Sequence, residues 1–321
     1  MSVSLQSLPA RIVKAPWIWS FVGAAIVAGI TLVVTDGQGA DSMLAAALSF
    51  SVFLVLVGTG QMLVITLGPG NIDLSIPATI GLASAVSMKV MNGSNDLILL
   101  GLTAALLCGA IVGIANYGLI RVLRIPPIIA TLSSSFIIQS AAISYGRGLQ
   151  IKPPRLFADI TFMRVGTIPI LAILAALFTV VMAVILHRTL FGRTVLATGQ
   201  NERAARLAGL QVGHTQLITY TLCGVLAALT GTLLAGFSGG SSLSMGDEYL
   251  LSSIAIVVIG GTSVAGGFAN VTGLWGAALF LFMTSTLLNV SGLGAGVKDV
   301  LTGLIILIVI TLAGGEKKGR A

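Results

Sequence analysis

The stretch Gly68-Pro69-Gly70-Asn71-Ile72-Asp73-Leu74-Ser75-Ile76-Pro77 places one carboxylate between two long apolar runs. Two prolines and two glycines bracket it, so a continuous helix is not expected there. Asp73 can do one of two kinds of work. It can accept hydrogen bonds from the amides of Leu74 to Ile76 and cap a following helix over 74–91, at the end where the helix dipole favours negative charge. It can also gate or touch a solute, together with Asn71 and Ser75. A second stretch with chemical content is Asn201-Glu202-Arg203-Ala204-Ala205-Arg206-Leu207-Ala208-Gly209. Asn201 is a good N-cap, Glu202 suits the first turn and Gly209 suits the position just past the end, so a two-turn helix over 201–209 is expected. Ala204, Leu207 and Ala208 form its small apolar face, and Arg203 with Arg206 a basic edge.

Covalent chemistry finds no support. No Ser/His, paired-Asp or His-Glu-x-x-His constellation falls inside the apolar runs, and no G-x-x-x-x-G-K-[ST] phosphate loop occurs anywhere. Cys108 and Cys223 have no partner spacing for a disulfide or a zinc site, and read as packing residues. His187 and His214 read as solvated interfacial side chains.

The elements that must position Asp73 and the 201–209 helix are membrane helices. The chain has 321 residues, 56% of them hydrophobic and only 8% charged, against roughly 25% charged in soluble domains. Residues 15–35, 97–120, 125–146 and 165–186 carry no Asp, Glu, Lys or Arg, each close to the ~20 residues a spanning helix needs. The full set of expected spans is 16–35, 44–67, 73–91, 97–120, 126–146, 167–187, 215–237, 249–265, 271–290 and 297–313. The fold class is therefore an all-α membrane protein of about ten transmembrane helices, one domain over 1–321, with a broken-helix region and the short helix 201–209. Gly109 with Gly113, and Gly273 with Ala277, have the spacing of close helix contacts.

Lys and Arg set the orientation. Arg11, Lys14, Arg121, Arg124, Arg188, Arg193, Arg203, Arg206, Lys317, Lys318 and Arg320 fall on one side, most of the 17 basic residues in the chain. Both termini are thus expected in the cytoplasm, with no cleaved signal peptide. The net charge of +7 reads as topology, not as nucleic-acid binding. The opposite side holds the 147–168 connection, where Arg147, Lys152, Arg155 and Arg164 form either a solvated face or a docking surface. Within the spans, Thr131, Ser133, Ser134, Ser135 and Gln139 cluster after Pro126-Pro127. Ser135 and Gln139 are candidates to face a translocation path, and Asn289 either caps its helix or lines the outer mouth.

The run N-x-x-A-A-R-x-x-G, as Asn201, Ala204, Ala205, Arg206 and Gly209, resembles the coupling loop of ATP-binding-cassette importer permeases, the ribose/monosaccharide branch in particular. Ile72-Asp73-Leu74-Ser75 is similar to that family's Gly-Gly-Ile-Asp-Leu-Ser-Val-Gly. Pro127-Ile128-Ile129-Ala130-Thr131-Leu132 is similar to its Pro-Phe-Ile-Ala-Thr-Leu. Gly260-Gly261-Thr262-Ser263 before Gly266-Gly267 is similar to its Gly-Gly-Thr-Ser-x-x-Gly-Gly. The four lie in order along nearly the whole chain. This sequence departs from the pattern at Asn71 and Pro77, at Leu250 to Ala255, where two acids are lost, and at Lys298-Asp299, where glutamines are usual.

The resemblance implies a permease dimer, formed with a second copy or a paralogue, in the bacterial inner membrane. A separate cytoplasmic ATPase, holding ATP and magnesium, docks on Asn201 to Gly209, with Glu202 and Arg203 in that contact. A periplasmic binding protein delivers the solute. The chain itself needs no cofactor and is no enzyme. Its solute lies among pentoses, hexoses, sugar alcohols, nucleosides and autoinducer-2. An ion-coupled secondary transporter is the alternative, and it would require buried charges as coupling sites.

Overall fold

The computed structural model describes residues 16–148 and 151–313. Arg11, Lys14, Lys317, Lys318 and Arg320 lie outside the described residues. The helices are α1 (Pro16–Val34), α2 (Ala40–Thr66), α3 (Ile76–Met91), α4 (Ile98–Val122), α5 (Pro127–Gly146), α6 (Arg155–Phe162), α7 (Ile170–Arg188), α8 (Leu190–Gln200), α9 (Glu202–Leu207), α10 (Val212–Phe237), α11 (Tyr249–Ile259), α12 (Val271–Val290) and α13 (Ala295–Ala313). A two-residue antiparallel pair, β1 (Arg164–Val165) with β2 (Ile168–Pro169), closes the segment before α7.

Six of the described helices are long and apolar enough to cross a membrane: α2, α4 with the short turn Asn95–Leu97 before it, α5, α7, α10 and α12. Two expected spans are shorter than the sequence reading placed them. The expected 249–265 span stops at Ile259, because Gly260-Gly261 and Gly266-Gly267 turn the chain before α12. Its 11 residues rise about 16 Å, half of a ~30 Å hydrocarbon core. The expected 73–91 span begins only at Ile76. Both short apolar helices follow non-helical backbone. Residues 67–75 precede α3 and residues 238–248 precede α11.

The core sits around α2 and α10. Phe53, Met62, Leu63, Ile65 and Val64 of α2 are fully buried, as are Tyr220 and Cys223 of α10. α10 packs on α4, α3 and α2, while α12 packs on α1, α2 and α11. Small residues set the closest approach. A Cβ on Gly109 or Gly113 of α4 would strike the backbone of α10 at Gly224 and Tyr220. In lipid, where no hydrophobic force draws helices together, such approach supplies the dispersion contact. Gly273 meets the Gly260 carbonyl in the same way, and Ala277 is fully buried.

The outward faces differ in chemistry. Ile173, Leu174, Leu177, Val180, Val181 and Val184 expose an unbroken apolar face on α7, as lipid requires. α5 exposes Ser133, Gln139 and Ser140 among its apolar residues.

Candidate functional site

The 187–215 connection holds two helices. The sequence reading found only the second. Thr189 starts α8, its hydroxyl oxygen accepting from the Gly192 amide at 3.2 Å. Asn201 then ends α8 and starts α9, its Oδ1 accepting from the Ala204 amide at 3.0 Å. The end of α9 is closed by two backbone bonds. Gly209 N–H donates to Arg206 O at 3.0 Å and Leu210 N–H to Ala205 O at 3.1 Å. Gly209 takes φ +79°, the left-handed conformation this closure needs. Glu202 pairs with Arg206 one turn on. Ala205 points inward and is buried, whereas Arg203, Ala204 and Ala208 are exposed and Leu207 is 90% exposed. The result is a stiff, capped knob whose outermost feature is a leucine.

α8 roots this knob in the bundle. Gly199 lies so close to Thr66 and Gly267 that an added Cβ would overlap the Thr66 carbonyl oxygen and the Gly267 amide. Gly267 N–H donates to Thr66 O at 2.9 Å, and Gln200 Nε2 donates to Gly267 O at 3.4 Å. The Gly266 turn in turn touches the Gly68 backbone. Three chain segments, 66–68, 199–200 and 266–267, thus meet at one glycine junction. The end of α8, directly before α9, thus packs backbone to backbone on both the break before α3 and the turn before α12.

Beyond the junction, residues 71–75 run back into the bundle without helical structure. Most of their polar groups bond to protein; the Ile72 amide and, beside the break, Gln61 Nε2 have no protein partner among the described residues. Asn71 Oδ1 accepts from the Tyr220 hydroxyl at 3.0 Å, and its Nδ2 donates to Gly68 O at 3.2 Å. Asp73 N–H donates to Gln61 Oε1 at 3.2 Å. Leu74 N–H donates to Thr131 Oγ1 at 3.0 Å. Asp73 is 2% exposed and Ser75 1%.

The expected role of Asp73 as the cap of a helix beginning at 74 is corrected here. The Leu74 amide goes to Thr131, and Asp73 Oδ1 accepts from Ser75 N–H at 2.9 Å and Ser75 Oγ at 2.6 Å. This local turn holds Ser75, which becomes the residue before α3. The chain of bonds continues outward: Asn116 Nδ2 donates to Ser75 Oγ at 2.8 Å, and Ser134 Oγ donates to Asn116 Oδ1. α2, α4, α5 and α10 therefore all grip the break.

Sequence reasoning missed Gln61, Asn116 and Tyr220. The signal was present, since Gln61 and Asn116 are carboxamides inside otherwise apolar runs and are costly there unless paired.

The remaining candidates lie apart from this network. Ser135 Oγ donates to Leu132 O at 2.7 Å within α5, and Gln139 is exposed on the same helix. Asn289 is not the cap of α12, which is Ser291. It accepts from Lys298 Nζ at 2.9 Å and lines a cavity of about 550 Å³ with Asp247, Glu248 and Ser285. Arg147, Lys152, Arg155 and Arg164 are all exposed. α6 occupies part of the segment that carries them and is tied down where Leu156 N–H donates to Asn95 Oδ1 at 3.1 Å.

Six long apolar helices, two shorter ones after non-helical breaks, and a capped knob packed against the turns between them are consistent with a membrane permease. The chain belongs to the family described as branched-chain amino acid transport system / permease component, which matches residues 42–310. It is 32% identical over 265 residues to the ribose import permease protein RbsC of Bacillus subtilis, covering 80% of each chain. It is 31% identical over 299 residues to the autoinducer 2 import system permease protein LsrC of an Enterobacter species, covering 92% of this chain and 85% of the relative. It is 31% identical over 289 residues to the fructose import permease protein FruG of Bifidobacterium longum, covering 83% and 82%. No solved structure matches the chain. The protein is an integral membrane permease subunit, whose work is translocation and not an enzymatic reaction.

Proposed function

We propose that this chain is the translocation subunit of an ATP-binding-cassette importer that carries a small polyhydroxylated solute, a monosaccharide or a furanosyl compound of similar size. The observation that carries the reading is the capped α9 knob. It offers Leu207 outward and is locked through Gly199 to both membrane turns. A short capped helix that presents an apolar residue among charged ones is suited to seat in a partner's groove. Asn201, Glu202, Arg203, Ala204, Ala205, Arg206 and Gly209 form the contact with a separate cytoplasmic ATPase, which holds ATP and magnesium.

In this reading residues 1–321 are one domain of ten crossings, the six long helices being joined by α1, α13 and the two broken crossings of α3 and α11. Both termini lie in the cytoplasm of a cell whose inner membrane holds the protein. A second permease copy or paralogue covers the polar face of α5, so that Ser135 and Gln139 border the path between the two. Asn289 lies at its outer mouth. Asn71, Asp73 and Ser75 form the hinge at its inner end. Arg147, Lys152, Arg155 and Arg164 receive a periplasmic binding protein, and lipid surrounds α7. The ribose, fructose and autoinducer 2 import named in the relatives supports the solute class.

Proteoliposomes test the reading. The permease with its neighbouring ATPase and binding protein should take up labelled ribose, fructose or autoinducer 2 only when ATP is supplied on the ATPase side. Uptake by the permease alone down an ion gradient would overturn it in favour of secondary transport.

A further inference from the structure

The second broken crossing has no assigned role, and its geometry differs from the first. Residues 238–248, Ser-Gly-Gly-Ser-Ser-Leu-Ser-Met-Gly-Asp-Glu, do not turn away outside the bundle after α10. They run back along α3. Ser241 Oγ lies 2.8 Å from Ser84 Oγ. A Cβ on Gly81 would sit 3.2 Å from Leu243 O, and one on Gly246 would overlap the Pro77 carbonyl. Between Ser84 and Pro77 α3 rises about 10 Å, so the stretch descends that far into the bundle.

Its hydroxyls pair with Ser84 or with one another, and the Ser242 and Ser244 carbonyls accept from Met245 and Asp247, but a run of its amides is not consumed by protein. Among the described residues, the amides of Ser241, Ser242, Leu243 and Ser244 make no hydrogen bond to protein. Ser242, Ser244, Asp247 and Glu248 are exposed. Non-helical backbone with free amides, and carboxylates at the same level, cannot face hydrocarbon; such backbone is tolerated only against protein or a water-filled passage. The stretch ends at the 550 Å³ cavity that Asp247 and Glu248 share with Ser252, Ser285, Asn289 and Lys298.

The geometry points to residues 241–248 as the solute-contacting wall of the translocation path, built for a neutral polyhydroxylated molecule. Each solute hydroxyl is both donor and acceptor. The free serine amides and Lys298 donate, the carboxylates of Asp247 and Glu248 accept, and the serine hydroxyls and Asn289 do either. The solute class rests on the permease reading above; the wetness of the wall does not. Gly246 is what lets the wall lie flat on α3, and Tyr249, 8% exposed, anchors its lower end in the core.

Single-cysteine labelling tests this in proteoliposomes. Ser242→Cys and Ser244→Cys replace exposed side chains, and folding is checked by monodispersity. Leu177→Cys, on the apolar face of α7, is the lipid-facing control, and the parent chain with Cys108 and Cys223 is the background. A charged methanethiosulfonate should modify positions 242 and 244 but not 177, and a membrane-soluble maleimide should modify 177. D-ribose, fructose or autoinducer 2, whichever the complex transports, should slow labelling at 242.

The double variant Asp247→Asn with Glu248→Gln should raise the solute concentration for half-maximal uptake roughly three- to tenfold, the cost of a weakened hydrogen bond, while ATP hydrolysis persists. Labelling at 242 and 244 that follows the 177 pattern would overturn the proposal. So would unchanged uptake in the double variant. A complex with no ATP-driven uptake would instead fail the importer reading and leave the labelling result standing.

Discussion

The two non-helical breaks, before α3 and before α11, solve the same problem in different ways. Residues 71–75 and 241–248 both carry non-helical backbone inside a helical bundle. In the first, Gln61, Asn116, Thr131, Ser134 and Tyr220 come from four helices to satisfy the break. In the second, serine amides are left open beside a cavity. Lipid cannot hydrogen-bond, so every freed backbone group must find protein or water. The first break is held mainly by protein side chains, as the proposed hinge requires. The second keeps open amides, on which the proposed wall rests. The difference also separates two jobs, since only the first break touches the glycine junction below α8.

Substitutions can break this contrast. Asp73→Ala removes the acceptor for two Ser75 donors in a buried site, and should cost about 2–4 kcal/mol of stability, read as thermal unfolding in detergent. Ser242→Ala should change stability by no more than about 0.5 kcal/mol, as at ordinary exposed positions. Equal losses at the two sites would erase the distinction. Asp73→Asn keeps an acceptor, so it should assemble normally but transport more slowly.

Leu207→Asp should leave the melting curve unchanged, because the side chain is 90% exposed. It should weaken capture of the ATPase at least about tenfold, because docking would then bury an unpaired carboxylate. Gly199→Ala sharpens the hinge side of the comparison. Forcing Thr66 and Gly267 apart should lower solute moved per ATP hydrolysed, where a purely structural glycine would lower both together. Asn201→Ala removes one cap bond and should cost about 1 kcal/mol, confined to α9. Faster amide exchange in α9, with the core unaffected, would report it.

Much of this architecture was legible in the residues. The charge-free runs marked α4, α5 and α7 within a few positions, because hydrocarbon thickness fixes helix length and excludes charge. Asn201 and Gly209 marked α9 because both caps are local chemistry. The α8 helix escaped notice because Leu-Phe-Gly-Arg-Thr-Val-Leu-Ala-Thr-Gly-Gln mixes glycine and threonine into a short interfacial segment without strong periodicity. The network around Asp73 was hidden because it is tertiary: the carboxylate itself accepts locally from Ser75, but Asn116, Thr131 and Tyr220, which hold its neighbours, lie more than 40 residues away in sequence. The 238–248 stretch was the deepest omission. Ser-Gly-Gly-Ser-Ser reads as an ordinary connection, and composition alone does not say that it descends into the bundle.

The central claim is that a separate motor drives this bundle through α9. Ala205→Pro tests it most directly. Ala205 N–H bonds to Asn201 O at 3.0 Å in the middle of the knob, and proline removes that bond and displaces the turn. In proteoliposomes containing the ATPase and the binding protein, the account predicts a folded permease that no longer accumulates solute when ATP is added. Uptake at the unmodified rate would contradict it.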